Sequence, residues 1–481
     1  MTIPSSTTPP TRPVGQPYGR RNAALVVLCL VQFMLVLDDN VVNVALPAIR
    51  DELGFSASGL SWVVNAYFLA FGGLLLLFGR AADLFGRRRV FLSGVALFGA
   101  ASLLCGLAQE PWQLVTGRFV QGAGSAMASP AALALIALLF PGPGERARAF
   151  GIWGGIAALG GTTGLVVSGA LTGLASWRWI FLINLPVVLA AVLLLPRLVP
   201  ESRAARPVPL DVPGAVLGTG ALVSLVYGLL HSAESSWGDP GTLVPLVLSA
   251  LLAAVFVAVE SRTAAPLVPL SFLAHRTRAV AGAATLLFSA AMYAMAFLLM
   301  VHLQTVLGYR PLAAGLAYLP YGCGILAGMW LSARAVARFG TRRALTLAIL
   351  LTAAGLLLLA TIDAGDAYPT GVLPGLLVTS LGCGLSLPAL TVAALTDTTQ
   401  EDAGLGSALL NSVQQLGGAL GLATLITLAA HRATPTAGFS YALTAAAVLL
   451  AASALLPATL LRPTPRLTGR HPHTKTAPGP P

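Results

Sequence analysis

The chain has 481 residues, 56% of them hydrophobic and only 9% charged, and its mean hydropathy is +0.82. A soluble chain carries about 25% charged residues, so this composition excludes an ordinary cytosolic enzyme and a disordered protein and leaves a polytopic membrane protein; long apolar blocks without alternation exclude a β-barrel. The net charge of +11 reads as basic loops beside apolar helices, and no nucleic-acid partner is expected.

Residues 1–20 are rich in Pro, Thr and Ser and are expected to be an unstructured tail. The first apolar run starts near Ala23 and is long enough to span a bilayer, so it reads as a retained helix and not a cleaved signal. A span needs about 20 apolar residues. Runs near 23–46, 59–79, 89–108, 112–139, 149–173, 179–196, 212–230, 241–260, 279–303, 312–333, 344–361, 371–395, 405–430 and 437–461 predict fourteen. Ser176, Trp177 and Arg178 alone separate the fifth from the sixth. Residues 462–481 are again Pro-rich and expected to be unstructured. Cys29, Cys105, Cys323 and Cys383 all fall in apolar runs without paired spacing, and read as small core residues, not disulfides or metal ligands.

An even number of spans puts both termini on one side. With the N-terminus inside, 23 of the 28 Lys and Arg residues fall in inside segments; Arg50, Arg178, Arg310 and Arg432 fall outside, and Arg118 lies within a helix. That asymmetry places both ends in the cytoplasm.

The segment GRAADLFGRRR at 79–89 matches ARAVARFGTRR at 333–343 in six of eleven positions, at an offset of 254 residues. The same offset brings Gly164 onto Gly418 in two Gly-rich helices. Helices one to six and nine to fourteen therefore read as two copies of one unit, with seven and eight inserted. Parallel halves of this kind are a secondary-transporter architecture. The expected organisation is a six-helix bundle at 21–200, an inserted pair at 201–265 and a second bundle at 266–461.

The loop Gly79-x3-Asp83-x2-Gly86-Arg87-Arg88 resembles the signature loop of the major facilitator superfamily. LDDNVVNVALPAI (37–49), Arg118-x2-Gln121-Gly122-x-Gly124, WRWIFLINLP (177–186) and LQTVLGYRPLAAGLAYLP (303–320) resemble motifs of its fourteen-helix drug–proton antiporter branch. The resemblance covers about residues 20–460. It implies an all-α polytopic major facilitator fold with two six-helix bundles and two inserted helices. It also implies a cytoplasmic gating loop at Gly79, Asp83, Gly86, Arg87 and Arg88, which latches the two halves and breaks during transport, and an antiporter helix packed through Gly155, Gly160, Gly164 and Gly169. The chain departs from the pattern in having Asn40 where the first-helix motif usually has Thr, in carrying a second acid, Asp39, and in lacking the proline of the fifth-helix motif.

Asp38, Asp39 and Arg118 lie inside apparent spans, where each charge costs about 2.5–3.5 kcal/mol on insertion scales. Counting at 1.5 Å per residue puts Asp38 and Arg118 at one depth, about 21 Å from the cytoplasmic face. Burial opposes ionisation of a carboxyl and a nearby guanidinium favours it. Asp38 is therefore the candidate proton acceptor, with Arg118 tuning it; a static ion pair that fixes helix packing is the alternative. Asp39 points about 100° away on the helix and is a second candidate for proton or cation recognition, or a cavity-exposed group.

Asn43, Asn65, Tyr67, Asn184, Tyr293, Gln304, Asn411 and Gln414 are candidate cavity-lining groups, with Gln415 beside them. His302 reads as an interfacial histidine near the outer end of helix nine. The sequence has no HExxH, GxSxG or P-loop motif and no large soluble segment. Neither an enzyme nor a cofactor or metal is expected. The expected function is proton-coupled efflux of an amphiphilic small molecule, a drug or natural product, by a monomer embedded in the lipid bilayer. A facilitator-type importer or metabolite exporter is the alternative on the same scaffold, and a non-transporting sensor or lipid-modifying enzyme the alternative from another class.

Overall fold

The computed structural model describes residues 18–203, 209–268, 274–363, 365–394 and 402–461. Expectations for residues 1–17 and 462–481 lie outside them. Every regular element among the described residues is helical: besides a π-helical turn at Tyr368–Val372 there are fifteen α-helices. They are α1 (Tyr18–Leu53), α2 (Ala57–Phe85), α3 (Arg87–Gly106), α4 (Pro111–Leu139), α5 (Pro143–Leu174), α6 (Trp179–Leu182), α7 (Asn184–Leu198), α8 (Val212–Ser232), α9 (Pro240–Glu260), α10 (Arg276–Thr305), α11 (Pro311–Ala317), α12 (Leu319–Leu359), α13 (Leu373–Ala394), α14 (Asp402–Ala430) and α15 (Pro435–Leu460).

Thirteen described stretches are long and apolar enough to cross a membrane. One of them, Pro311–Leu359, has 49 residues and holds two spans joined at Gly340, where the backbone leaves the helix at φ 76°, ψ 156°. The fourteen expected spans are thereby accounted for. The first helix begins at Tyr18, inside the stretch expected to be unstructured. Arg20 is exposed there, and Arg21 Nη2 donates to Glu145 Oε2 of α5 at 2.5 Å.

Local chemistry sets the ends. Oγ of Ser56 accepts from Gly59 N at 3.0 Å and starts α2. Glu110 and Gln113 form a reciprocal capping box at α4, and Thr434 caps α15. Such caps satisfy backbone donors that have no partner within the helix.

The helices fall into two compact units. The first runs to Leu225 and adds Val247–Leu267 and Tyr309–Leu316; the second holds Val226–Leu246, Val268–Gly308 and the chain from Ala317. Within the first unit α1 packs on α5, α4 on both α2 and α3, and α7 on α1 and α3. Within the second, α10 packs on α14, α13 on both parts of α12, and α15 on α10 and α12. The partners correspond pair by pair, as an internal repeat requires. Gly86 (φ 117°) and Gly340 (φ 76°) break the chain at equivalent points of the two repeated loops. Cys29, Cys105 and Cys383 are buried, but Cys323 is exposed: Gly322 is buried and Gly324 faces Ser380, so the side chain between them points away.

Candidate functional site

The first unit encloses a cluster of charge in its apolar core. Asp38 on α1 and Arg118 on α4 are both fully buried, and Arg118 Nη1 donates to Asp38 Oδ2 at 2.5 Å. The guanidinium is fixed from several sides. Its Nε donates to Val63 O of α2 at 2.9 Å and its Nη1 also reaches Gln121 Oε1 at 3.0 Å. The Tyr67 ring lies 4.4 Å from its carbon and the Phe181 ring 5.9 Å. Gln121 Nε2 donates to Asp38 Oδ1 at 3.2 Å and to Ser102 Oγ at 2.7 Å. Asn184, the first residue of α7, donates to Asp38 Oδ1 at 2.8 Å and to Ser102 Oγ at 3.3 Å. Cys105 Sγ stands 3.5 Å from Gln121 Oε1. Six helices, α1, α2, α3, α4, α6 and α7, thus contribute to the cluster, and α4 and α7 donate to the carboxylate itself. A buried ion pair at best roughly offsets its own desolvation, so apolar packing alone does not call for this one.

The other sequence candidates distribute unevenly. Tyr67 is enclosed against Arg118, with its hydroxyl donating to Ser125 Oγ at 2.9 Å. Asn184 belongs to the charged cluster and not to an open surface. Asp39 and Asn40 are half-buried, and Asn40 Nδ2 donates back to Val36 O at 2.8 Å. Asn43 and Asn65 are buried on α1 and α2. In the second unit Tyr293, Gln304 and Gln414 are half-buried, Gln415 is buried, and Asn411 is exposed and bonded to Ser407 O at 3.1 Å. His302 is enclosed in the protein and not interfacial: its ring stacks on Phe439 of α15 with centroids 4.2 Å apart.

The Gly-rich helix α5 splits into separate roles. A Cβ on Gly160 would lie 3.1 Å from Phe33 O, and one on Gly164 would lie 3.3 Å from Leu37 O. Ser168 Oγ donates to Val41 O. The spacing 160, 164, 168 is one helical row, and it seats α5 on the stretch of α1 that carries Asp38. Ser168 was not among the sequence candidates, although its four-residue spacing from Gly164 marked it. Gly169 faces α11, where its Cβ would meet Pro311 O at 2.6 Å, whereas Gly155 is exposed with nothing within 4 Å.

The loop at 79–89 is built on Gly86. Asp83 pairs with Arg87 one turn later, at 2.9 Å. Glu201, beyond the end of α7, accepts from Arg88 N and Arg89 N, both at 3.1 Å, and so caps α3. Arg88 Nη1 donates to Val199 O at 2.9 Å. Gly79 lies against Pro130 of α4, whose Cβ would be 3.7 Å from an added Cβ. Arg80 turns to the inserted pair, donating to Ala265 O at 2.8 Å and to Pro266 O. Neither Glu201 nor the Arg80 contacts were predicted.

The second unit repeats the scaffold without the charge. Tyr67 meets Ser125 in the first unit, and Tyr321 meets Cys383 in the second, at 3.8 Å. Gly117 packs on Cys105 in the first, and Gly375 on Leu359 in the second. The residue that follows is Arg118 in one and the fully buried Leu376 in the other. α10, the counterpart of α1, contains no acidic residue. Among the described residues no group of three His, Cys, Asp or Glu side chains is placed to hold a metal.

A family model described as Major Facilitator Superfamily matches residues 28–422. The chain is 43% identical to the puromycin resistance protein pur8 of Streptomyces alboniger, over 86% of this chain and 82% of that protein. It is 42% identical to the lincomycin resistance protein of Streptomyces lincolnensis, over 85% and 84%. Its fold is similar to the inward-open xylose transporter XylE from E. coli, with a TM-score of 0.63 at 16% identity, covering 92% of this chain and 97% of that one.

Proposed function

The chain belongs to the Major Facilitator Superfamily, and on that premise we propose that it exports amphiphilic antibiotics or related small molecules by alternating access, driven by protons. It is a multi-pass membrane transporter and not an enzyme. The similarity to resistance proteins for puromycin and lincomycin supports efflux of compounds of that kind. The asymmetry of Lys and Arg supports a location in the cytoplasmic membrane with both termini inside, and the protein works as a monomer.

One observation carries the proton coupling: among the described residues the buried Asp38–Arg118 pair has no counterpart in the second unit, where Leu376 fills the place of the guanidinium. A scaffold that packs without the pair does not need it for packing. In an apolar interior the pair cannot separate while both members are charged. A proton on Asp38 removes that attraction and frees α1 and α4 to move apart; release of the proton restores it. Each inward proton supplies about 2.3 kcal/mol per 100 mV in addition to the pH gradient. Asp39 adds negative potential on the same helix, which suits cationic or neutral substrates over anions. The loop at 79–89 is the cytoplasmic gate.

Accumulation of puromycin and lincomycin in cells with and without the gene, and with and without a protonophore, tests this reading. Expression lowers accumulation and the protonophore restores it. Asp38→Asn at matched membrane levels abolishes proton-driven efflux; undiminished efflux in that variant removes the coupling role. Everted vesicles loaded against a proton gradient give the direction of flux.

A further inference from the structure

The coupling reading assigns roles to Asp38 and Arg118 and none to Asn184. Yet Asn184 is 1% exposed and its amide is aimed at the carboxylate. The two oxygens of Asp38 are held differently. Oδ2 takes the guanidinium at 2.5 Å, while Oδ1 takes two neutral amides, Asn184 Nδ2 at 2.8 Å and Gln121 Nε2 at 3.2 Å. The orientation of Gln121 is set by the network, because its Oε1 accepts from Arg118 Nη1 at 3.0 Å and faces Cys105 Sγ at 3.5 Å. Ser102 Oγ accepts from both amides and holds them side by side.

Such a cradle is complementary to a carboxylate and not to a carboxylic acid. A proton on Oδ1 would meet two N–H donors and no acceptor. Donors to an ionised group favour that form. We infer that Asn184, with Gln121 as its companion, is a positioning residue that sets the proton affinity of Asp38. The inference rests on the coupling reading only for its consequence in transport, since the hydrogen-bond chemistry stands without it. The charged and titratable groups facing Asp38 are Arg118 on α4, Cys105 on α3 and Tyr67 on α2, while Asp39, next on its own helix, acts on Tyr67. From α6 the cluster receives the Phe181 ring, and from α7 only Asn184. A change at Asn184 therefore alters a donor to Asp38 and no neighbouring charge.

Infrared spectra of the purified full chain, recorded across pH, test it through the carbonyl band of the protonated carboxyl. Loss of a band in Asp38→Asn identifies the one that belongs to Asp38. In Asn184→Leu its midpoint moves toward alkaline pH by about one unit, the effect of one hydrogen bond to a charged group. Asn184→Thr, a smaller perturbation of packing, moves it the same way, as does Gln121→Leu, and Asn184→Gln recovers part of the shift. An Asp38 band that titrates as in the parent protein in all three donor-removing variants, or that titrates in none of them, overturns the inference. Failure of the coupling reading shows separately, as proton-driven efflux that survives Asp38→Asn.

Discussion

Gly86 and Glu201 leave no room for a side chain between them: a Cβ on Gly86 would stand 2.7 Å from Glu201 Oε1. That carboxylate lies over the first turn of α3, where the helix dipole and free N–H groups favour an anion. Gly86 also has φ 117°, a conformation costing a residue with a side chain about 1–3 kcal/mol. Gly86→Ala therefore has two costs, backbone strain and displacement of the cap. Gly340→Ala, at φ 76°, shares the strain without the Glu201 contact. Thermal unfolding of the purified protein should show the larger fall for Gly86→Ala. Equal falls would mean that the Glu201 cap contributes nothing.

Arg118 and Asp38 should behave differently alone and together. Removing one member of a buried pair typically costs about 3–5 kcal/mol, whereas replacing both with neutral groups is close to neutral. Arg118→Met is expected to lower the melting temperature and the yield. Asp38→Asn combined with Arg118→Met is expected to restore both while leaving proton-driven efflux absent. Arg118→Lys will not substitute, because a lysine lacks the Nε that donates to Val63 O while the end of the side chain reaches Asp38. A double variant as unstable as Arg118→Met would make the pair a packing device.

Arg80 fastens the inserted helices to α2. It donates to Ala265 O at 2.8 Å, just beyond α9, and lies 3.5 Å from Pro209 O, just before α8. Asp211 ties the same ends together, accepting from Gly214 N at 2.9 Å and from Leu267 N at 3.2 Å. Arg80→Gln removes charge-assisted bonds worth about 1.5–3 kcal/mol. Amide hydrogen exchange in peptides covering residues 261–268 should quicken, while the core of α4 keeps its protection. Unchanged exchange in those peptides would show that Asp211 suffices.

The spans, and the shared depth of Asp38 and Arg118, were legible in the sequence because apolar run length and helical rise are one-dimensional quantities. The repeat was legible at the 79–89 loop, where glycines and arginines recur in register. Asn184 could not be assigned that way. A polar residue in an apolar run marks a buried partner or a cavity equally well, and the partner lies 146 residues away. Glu201 was hidden for another reason: an acid in a basic loop looks solvated, and only the approach of the α7 end to α3 reveals the cap. Gly340, where the backbone leaves the helix, separates the tenth and eleventh spans at the loop that its charge already marked in sequence.

The glycines of α5 give the most direct contrast between packing and coincidence. Gly160 and Gly164 face the backbone of α1 at Phe33 and Leu37, whereas Gly155 faces nothing within 4 Å. Leu37 adjoins Asp38, so any side chain that lifts α5 from α1 also shifts the carboxylate against Arg118. Gly164→Val is expected to lose most proton-driven efflux at normal membrane levels. Gly155→Val should stay within about 0.5 kcal/mol of the parent in stability, as exposed substitutions usually do, and should transport normally. Gly155→Ala should be neutral or slightly stabilising, since Ala favours a helix interior by about 0.5–1 kcal/mol over Gly. Matched efflux and melting measurements separate the two sites. Equal loss at both would mean that α5 needs its flexibility along the whole helix and not its close approach to α1.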